Sequence, residues 1–330
     1  MTSDLSKLGL VAIGRNEGDR LRQCLDAIVG KVACVVYVDS GSVDNSIELA
    51  KQRGIDVVEL DLSQPFTAAR ARNAGWVRLM ELDSTLEYVQ FVDGDCEIAA
   101  GWLETARSTL QGRPEVAAVC GRRRERFPER SPYNRLCDLE WNTPIGETLA
   151  CGGDAMMRVA ALKQVGGFAP HLIAGEEPEL CYRLRQQGWK VLRIDADMTL
   201  HDAAMVHFRQ WWQRALRAGH ACAQGAWLHG REPERYCVKE CRSILLWGAI
   251  VPTVALGLAW PTRGLSLAIA LVYPLMIYKV FRFKRSQCGR RNALLYAVAC
   301  IAGKFPNVFG VLSFHRNRLL GRGYCLVEYK

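Results

Sequence analysis

The apolar residues of the first hundred positions fall in short solid blocks. Between them run polar stretches whose apolar residues recur at helical spacing. "LGLVAIG" (8–14) is apolar throughout and stops at a glycine, the pattern of a strand buried on both faces. In "RNEGDRLRQCLDAIVG", Leu21, Leu25 and Ile28 form one helical stripe closed by Gly30. "VACVVYV" (32–38) reads as a second buried strand, "IELAKQRG" as a helix with a glycine stop, and "IDVVEL" (55–60) as a third strand. "FTAARARNAGWVRLM" is then a helix and "YVQFVD" a fourth strand. Strands alternating with helices in this way predict an α/β fold, a Rossmann-like, mostly parallel sheet with helices on both faces.

Such sheets bind ligands beyond the carboxyl ends of their strands. Here those ends carry Arg15, Asn16 and Glu17, then Asp39, Ser40 and Gly41, then Asp93, Gly94 and Asp95. No GxGxxG follows the first strand and no GxxxxGK[ST] occurs, so the two commonest phosphate cradles are missing. "VQFVDGDCEI" (89–98) ends a strand in carboxylates two residues apart. If the strand continues through them, Asp93 and Asp95 face one side and repel unless a cation lies between them. Mg²⁺ or Mn²⁺, held by one or two carboxylates and completed by water and diphosphate oxygens, is the expected cofactor. An Asx-type turn is the plainer alternative. Glu97 is expected to be solvated.

The pattern changes near residue 236. "SILLWGAIVPTVALGLAW" (243–260) is 18 residues without a charge, and "LSLAIALVYPLMIY" (265–278) is 14, with Lys279 a snorkelling end beyond it. Only "PTRG" separates them. These lengths approach those of bilayer spans, and a buried helical hairpin is the other reading. A third run, "ALLYAVACIAGKFPNVFGVLSF" (293–314), contains Lys304, Pro306 and Asn307 and reads as an interfacial or re-entrant segment, or a further span.

The formal net charge is +9. Residues 236–330 hold 14 Lys/Arg and 2 Asp/Glu, while the rest hold 29 and 32, so all the excess positive charge lies in the tail. That argues against a nucleic-acid-binding body and for a tail that meets an anionic lipid bilayer. "RFKRSQCGRR" after the second run has five basic residues against one in "PTRG", which puts that loop and the N-terminal body on the cytoplasmic face of the inner membrane. "MTSDLSKLGL" has neither a basic n-region nor a long apolar h-region, so the thiols are expected to be reduced. The 13 cysteines form no CxxC, and Cys237 and Cys241 have no obvious His partner for zinc.

Five stretches, "VAIGRNEGDRLRQCLDAI", "VVYVDSGSVDNS", "ARARNAG", "VQFVDGDCEI" and "GEEPELCYRLRQQGWKV", occur in the order and rough spacing of one family. Over about residues 8–215 the chain resembles family 2 glycosyltransferases of the GT-A fold. The resemblance implies an inverting transfer of a sugar from a nucleotide-diphosphate donor. A polyprenyl-diphosphate-linked saccharide is the implied acceptor; a polyprenyl-phosphate sugar synthase of the same fold and a catalytically silent nucleotide-sugar-binding membrane protein are the alternatives. It implies that Asp95 carries the metal and that Asp93 contacts metal or ribose. His201, in "TLHD", is implied to complete the metal shell, or else to be a structural hydrogen-bonder. Asn16, Glu17, Asp39, Ser40, Gly41 and Arg72 would hold the nucleotide sugar, with Asp39 on the base edge and Arg72 near the base or diphosphate.

In "GEEPELCYRLRQQGWKV" the family's E-D pair reads Glu176–Glu177. Glu177 is the implied general base and Glu176 holds the motif, with the reverse open; a plain acidic first turn of a helix is the alternative. "LACGGDAMMRVAALKQVGGF" (149–168) resembles the acceptor side. Gly152 and Gly153 would let a sugar approach the backbone, and Asp154 would bind a hydroxyl. In "FRQWWQRALRAG" (208–219) no Trp follows Arg214, so the processive Q-x-x-R-W box is incomplete; Trp211 and Trp212 would stack on sugar or seat at the membrane interface. The five arginines of "GRRRERFPER" (121–130) would lie on a solvated helix or hold a lipid diphosphate or anionic headgroups. The expected division is a nucleotide-sugar half (1–110), an acceptor half (111–235) and a membrane-associated helical region (236–330).

Overall fold

The computed structural model describes residues 5–321. The chain divides into two compact units. One holds the residues up to Arg126 together with Trp141–Ala203; the other holds Phe127–Glu140 and the residues from Ala204 onward. The expected boundaries at 110 and 235 are thus replaced. Strands on both sides of residue 110 pair in one sheet, and the helix beginning at Phe208 packs with the tail helices.

The first unit is built in chain order from β1 (Leu8–Gly14), α1 (Asp19–Asp26), β2 (Cys34–Asp39), α2 (Ser46–Lys51), β3 (Asp56–Glu59), α3 (Ala68–Leu82), β4 (Tyr88–Asp93) and β5 (Cys96–Ile98). After α4 (Trp102–Gly112) and β6 (Val116–Glu125), and past α5 (Pro132–Glu140) of the other unit, it resumes with β7 (Gly146–Glu147) and β8 (Ala155–Arg158). It ends with α6 (Val159–Val165), α7 (Glu176–Gln186) and β9 (Lys190–His201). The sheet order is β3-β2-β1-β4-β8-β6-β9-β5, with β7 beside β9.

The strands read from the apolar blocks are parallel, β2 on β1, β4 on β1 and β3 on β2, and β6 on β9 is a further parallel pair. The later half makes the sheet mixed. β8 runs antiparallel to both β4 and β6, and β5 and β7 antiparallel to β9. Solid apolar runs such as "LGLVAI" mark β1 and β4 as central, and their side chains are buried almost throughout. "GRRRE" lies on β6 rather than on a helix, so its arginines alternate between faces.

The second unit is helical among the described residues: α5, α8 (Phe208–His229), α9 (Val238–Leu245), a π segment (Leu246–Ile250), α10 (Val251–Gly257), a 3-10 segment (Leu265–Leu271), α11 (Val272–Ala302) and α12 (Lys304–Leu319). The third apolar run is split between α11 and α12. Pro306 falls in the first turn of α12, where its missing N–H costs no hydrogen bond. Val308, Val311 and Phe314 of α12 pack on Ala223 of α8 and Ile244 of α9. α11 itself breaks at Gly289, inside the basic loop. Val238–Gly257 and Leu265–Leu319 are long and apolar enough to cross a membrane by length and composition. Large apolar side chains there, including Trp260, Leu265, Leu271 and Leu275, are exposed. Cys241, expected to lack a metal partner, lies with its sulfur 3.2 Å from that of Cys222.

α8 and α12 cross at glycines. A Cβ on Gly310 would lie 2.0 Å from the Leu216 carbonyl oxygen and 2.6 Å from the His220 nitrogen. Backbone cannot yield there as a side chain can. Gly310→Ala is expected to destabilise the second unit by about 1–3 kcal/mol. Thermal unfolding of the detergent-solubilised chain checks this, and an unchanged midpoint would show that the crossing is looser than described.

Candidate active site

The parallel register aligns the strand ends, with Gly14 opposite Asp39 and Ile13 opposite Asp93. Asp39 is 1% exposed. Its carboxylate accepts from the backbone N–H groups of Gly41 (2.8 Å) and Ser42 (2.7 Å), the Ser42 hydroxyl (2.5 Å) and the Tyr37 hydroxyl (3.0 Å). Burial first, and the Asp39 charge second, push the Tyr37 phenol up and keep it a donor. Four donors fill a carboxylate, so Asp39 shapes the turn at Ser40 and Gly41 instead of offering an open edge to a base. Asn16 ties this turn to β1: its amide oxygen accepts from the Val43 N–H at 2.8 Å, and its own N–H donates to the Ser42 hydroxyl at 2.9 Å. Glu17 pairs with Arg20 at 2.8 Å.

β4 ends at Asp93, and Gly94 and Asp95 make the turn into β5. The strand has therefore broken before Asp95, although an oxygen of each carboxylate still lies within 4.8 Å of the Cys96 sulfur. Asp93 turns to a pair of guanidiniums. Arg72 Nη2 lies 2.8 Å from its Oδ1, and Arg123 Nη2 lies 3.6 Å from its Oδ2. Arg72 sits on the buried stripe of α3 with Gly75 and Leu79, not on a solvated face. Its Nη1 donates to Glu176 at 2.7 Å. Burial works against a charged Arg72, yet Asp93 and Glu176 outweigh it and raise the group above its usual value. Arg123 behaves alike: burial opposes its charge, and Asp154, 2.7 Å away, restores it.

Asp154 is 0% exposed and accepts from the Asp93 N–H at 3.0 Å and the Thr199 hydroxyl at 2.8 Å. It positions Asp93 and Arg123, and the partners of its carboxylate are protein groups. Gly153 explains itself here too. A Cβ at that position would lie 2.6 Å from Arg72 Nη2 and 3.0 Å from Asp93 Oδ2, so the close approach is to this charge network. Gly152 adopts φ 80°, a turn conformation that favours glycine.

Asp95 turns the other way, to His201 at the end of β9, with Oδ2 3.3 Å from Nε2. Both are buried, and Cys96 lies in the same cluster and points its thiol at Asp95 Oδ1 at 3.6 Å. On the far side of the imidazole, Glu125 Oε2 faces Nδ1 at 3.8 Å, and the edge of Trp141 packs on the ring at a centroid distance of 4.8 Å. At that distance Glu125 is an electrostatic neighbour of the ring and not a hydrogen-bond acceptor, and Nδ1 is buried without a hydrogen bond. Carboxylate oxygen and imidazole nitrogen on facing elements fit a divalent cation. Glu97, expected in solvent, pairs with Arg126 at 2.6 Å.

Glu176 and Glu177 open α7, after Gly175 in a left-handed conformation. Glu176 is committed to Arg72. Glu177 is 5% exposed, and its Oε1 accepts from the Cys151 N–H at 2.5 Å and the Cys181 thiol at 3.0 Å. The two sulfurs are 3.5 Å apart. The Cys151–Cys181 hydrogen bond, then burial, pushes the Cys151 thiol well up, so it stays protonated. Trp211 and Trp212 belong to the second unit. Trp211 is buried against Phe208, and Trp212 packs on Phe208 and Phe309, so their faces serve helix packing there rather than stacking on sugar. Arg123, Glu125, Trp141 and Thr199 were not foreseen as parts of the site. "AVCGRRRE" offers no alternation to mark the face of Arg123, and the strand is irregular between Cys120 and Arg123.

A mixed sheet in this order, with carboxylates and an imidazole at its strand ends, defines a GT-A-like transferase fold. Residues 11–166, just under half of the chain, match the model of glycosyl transferase family 2, and this match together with the relatives below supports a glycosyltransferase. It is 24% identical over 260 residues to the glycosyltransferase AglE of Haloferax volcanii, covering 75% of this chain and 81% of the relative. It is 26% identical over 282 residues to the pre-mycofactocin glycosyltransferase of Mycobacterium tuberculosis, covering 81% of this chain but only 56% of that relative. Among solved structures it resembles the mannosyltransferase PcManGT from Pyrobaculum calidifontis, determined in complex with GDP-Man and Mn²⁺. The TM-score is 0.61 at 19% identity, over 92% of this chain and 87% of the other.

Gly153→Ala is expected to push Arg72 off Asp93 while the sheet stays folded. A displacement of about 1 Å at such a site costs on the order of 10²-fold in rate. Steady-state turnover beside far-ultraviolet circular dichroism checks this; full activity would show that Gly153 is not needed for close approach.

Proposed function

We propose that the chain moves a sugar with inversion from a nucleotide-diphosphate donor to an acceptor hydroxyl, with Mn²⁺ or Mg²⁺ at Asp95 and His201. The observation that carries this reading is the buried Asp95–His201 pair, 3.3 Å apart, beside Asp93 at the end of β4. The Pyrobaculum complex with GDP-Man and Mn²⁺ supports both donor class and metal. A bound divalent cation would neutralise charge on the donor diphosphate as it departs. The turn built by Asp39, Ser40 and Gly41, tied to Arg15 and Asn16, supplies a firm floor for the nucleoside. Arg72 and Arg123 hold the Asp93 carboxylate still, so it can meet the donor ribose without reorganising.

For the acceptor, Glu177 is assigned as general base and Glu176 as the residue that aligns α7 through Arg72. Glu177 takes its hydrogen bonds from a backbone N–H and a thiol, whereas Glu176 is tied to a guanidinium. The acceptor oxygen attacks C1, its proton passes to Glu177, and the nucleoside diphosphate leaves. Because Cys151 covers Glu177, the 148–153 segment must shift for a hydroxyl to reach it. The exposed apolar helices and the basic residues near Gly289 support an acceptor at a membrane, a polyprenyl-diphosphate-linked saccharide at the cytoplasmic face. The same burial of Glu177 favours a second reading, transfer to a polyprenyl phosphate, which needs no base.

A panel of UDP- and GDP-sugars with extracted lipid acceptors tests this. EDTA is expected to abolish turnover, and Mn²⁺ to restore it better than Mg²⁺, because an imidazole suits Mn²⁺ more than Mg²⁺. Asp95→Asn is expected to lose activity. Glu177→Gln is expected to cost about 10²–10⁴-fold with a hydroxyl acceptor. Activity retained in Glu177→Gln would select the phosphate acceptor, and metal-independent turnover would contradict the Asp95–His201 assignment.

A further inference from the structure

One cavity of about 590 Å³ in the first unit is not used by the chemistry above. Arg122, Arg124, Arg193, Asp195 and Asp197 line it, together with the 142–145 segment. Arg124 is paired with Asp197 at 2.8 Å, so that carboxylate is committed. Arg193 is the anomaly. It lies on β9 opposite Cys120 of β6 and Gly146 of β7, and is 4% exposed. Its Nη1 donates to the neighbouring Ile194 carbonyl at 3.2 Å, its Nε is buried without a partner, and among the described residues it forms no ion pair.

An unpaired buried guanidinium costs several kcal/mol, so folding alone gives no reason to keep one. Its planar fork matches the oxygens of a phosphoryl group. Arg122 adds a second cation on the same cavity, while Asp195 is the one lining carboxylate not paired with Arg124. The volume lies in the range of small-molecule sites and leaves room for whatever the phosphoryl group is attached to, with Asn142 and Thr143 to receive it.

We propose that this cavity binds a phosphate or diphosphate ester, apart from the Asp95–His201 centre, with Arg193 as its buried anchor. The inference stands on the Arg193 geometry and does not depend on the sugar-transfer reading.

The test uses the full detergent-solubilised chain in EDTA, so that metal-dependent binding at Asp95 is silent. Inorganic pyrophosphate is titrated and the melting temperature followed. Wild type and Asp95→Asn are expected to show a saturable upward shift, and Arg193→Met to lose it. Without pyrophosphate, Arg193→Met is expected to melt at or above the wild type, because an uncompensated charge has been removed. A residue kept only for structure would give a lower melting point on substitution. If Arg193→Met melts lower, Arg122→Gln decides: a lost pyrophosphate shift supports the site and a retained one overturns it. The proposal is also overturned by no saturable shift in the wild type, by a full shift in Arg193→Met, or by its loss in Asp95→Asn, which would put the anion at the metal centre. Farnesyl diphosphate in the same assay separates the sources. Tighter binding than pyrophosphate assigns a lipid diphosphate, and equal binding a soluble phosphorylated ligand.

Discussion

Two buried guanidiniums grip the carboxylates at the centre of the first unit, and the site depends on that grip. Arg72 comes from α3 and Arg123 from β6; between them lie Asp93 at the end of β4 and Asp154 before β8, and Glu176 at the start of α7 holds Arg72 from the other side. Five segments far apart in sequence are thus joined through charge-assisted contacts in a place water hardly reaches. Breaking one partner leaves the others buried and unpaired, which costs about 3–5 kcal/mol for a pair of this kind. The same penalty explains why Gly153 must be bare: there is no slack for a methyl group between Arg72 and Asp93.

This arrangement separates the roles of two acids that sequence places side by side. Asp93 receives its positive charge from protein, so it is fixed before any ligand arrives. Asp95, released by the turn at Gly94, is left to pair with His201, whose ring packs against Trp141. Positive charge at this strand end therefore comes from two arginines and, on the reading proposed, one cation. On the reading proposed, a cation at Asp95 and His201 would offset the diphosphate charge that a glycine-rich loop meets with backbone N–H groups.

Much of the first half was legible in sequence. Solid apolar blocks gave β1 to β4 within a residue or two, because a strand buried on both faces has few other compositions. The second half was harder. β8 is four residues long and β7 two, too short for a periodic signal, and their antiparallel pairings join segments that no local pattern links. The arginine run was misplaced for the same reason, since three adjacent arginines carry no apolar alternation by which to see a strand. Asp39 and Asp154 were legible as important but not as buried, because hydrogen-bond saturation is a property of the fold. Trp211 and Trp212 read as sugar-stacking, as membrane-interface or as ordinary amphipathic-helix residues, and the ring contacts with Phe208 and Phe309 could not be read from local pattern.

The central claim is that Asp95 and His201, not the Asp93–Asp95 pair, hold the cation, with Asp93 already neutralised by Arg72 and Arg123. Anomalous diffraction at the manganese edge, on crystals grown with Mn²⁺ and a nucleoside diphosphate, tests it directly. The account requires a peak within bonding distance of an Asp95 oxygen and His201 Nε2, with the Arg72–Asp93 contact intact. A peak at Cys151, Glu177 and Cys181, or one that draws Asp93 away from Arg72 and leaves His201 unbound, would contradict it.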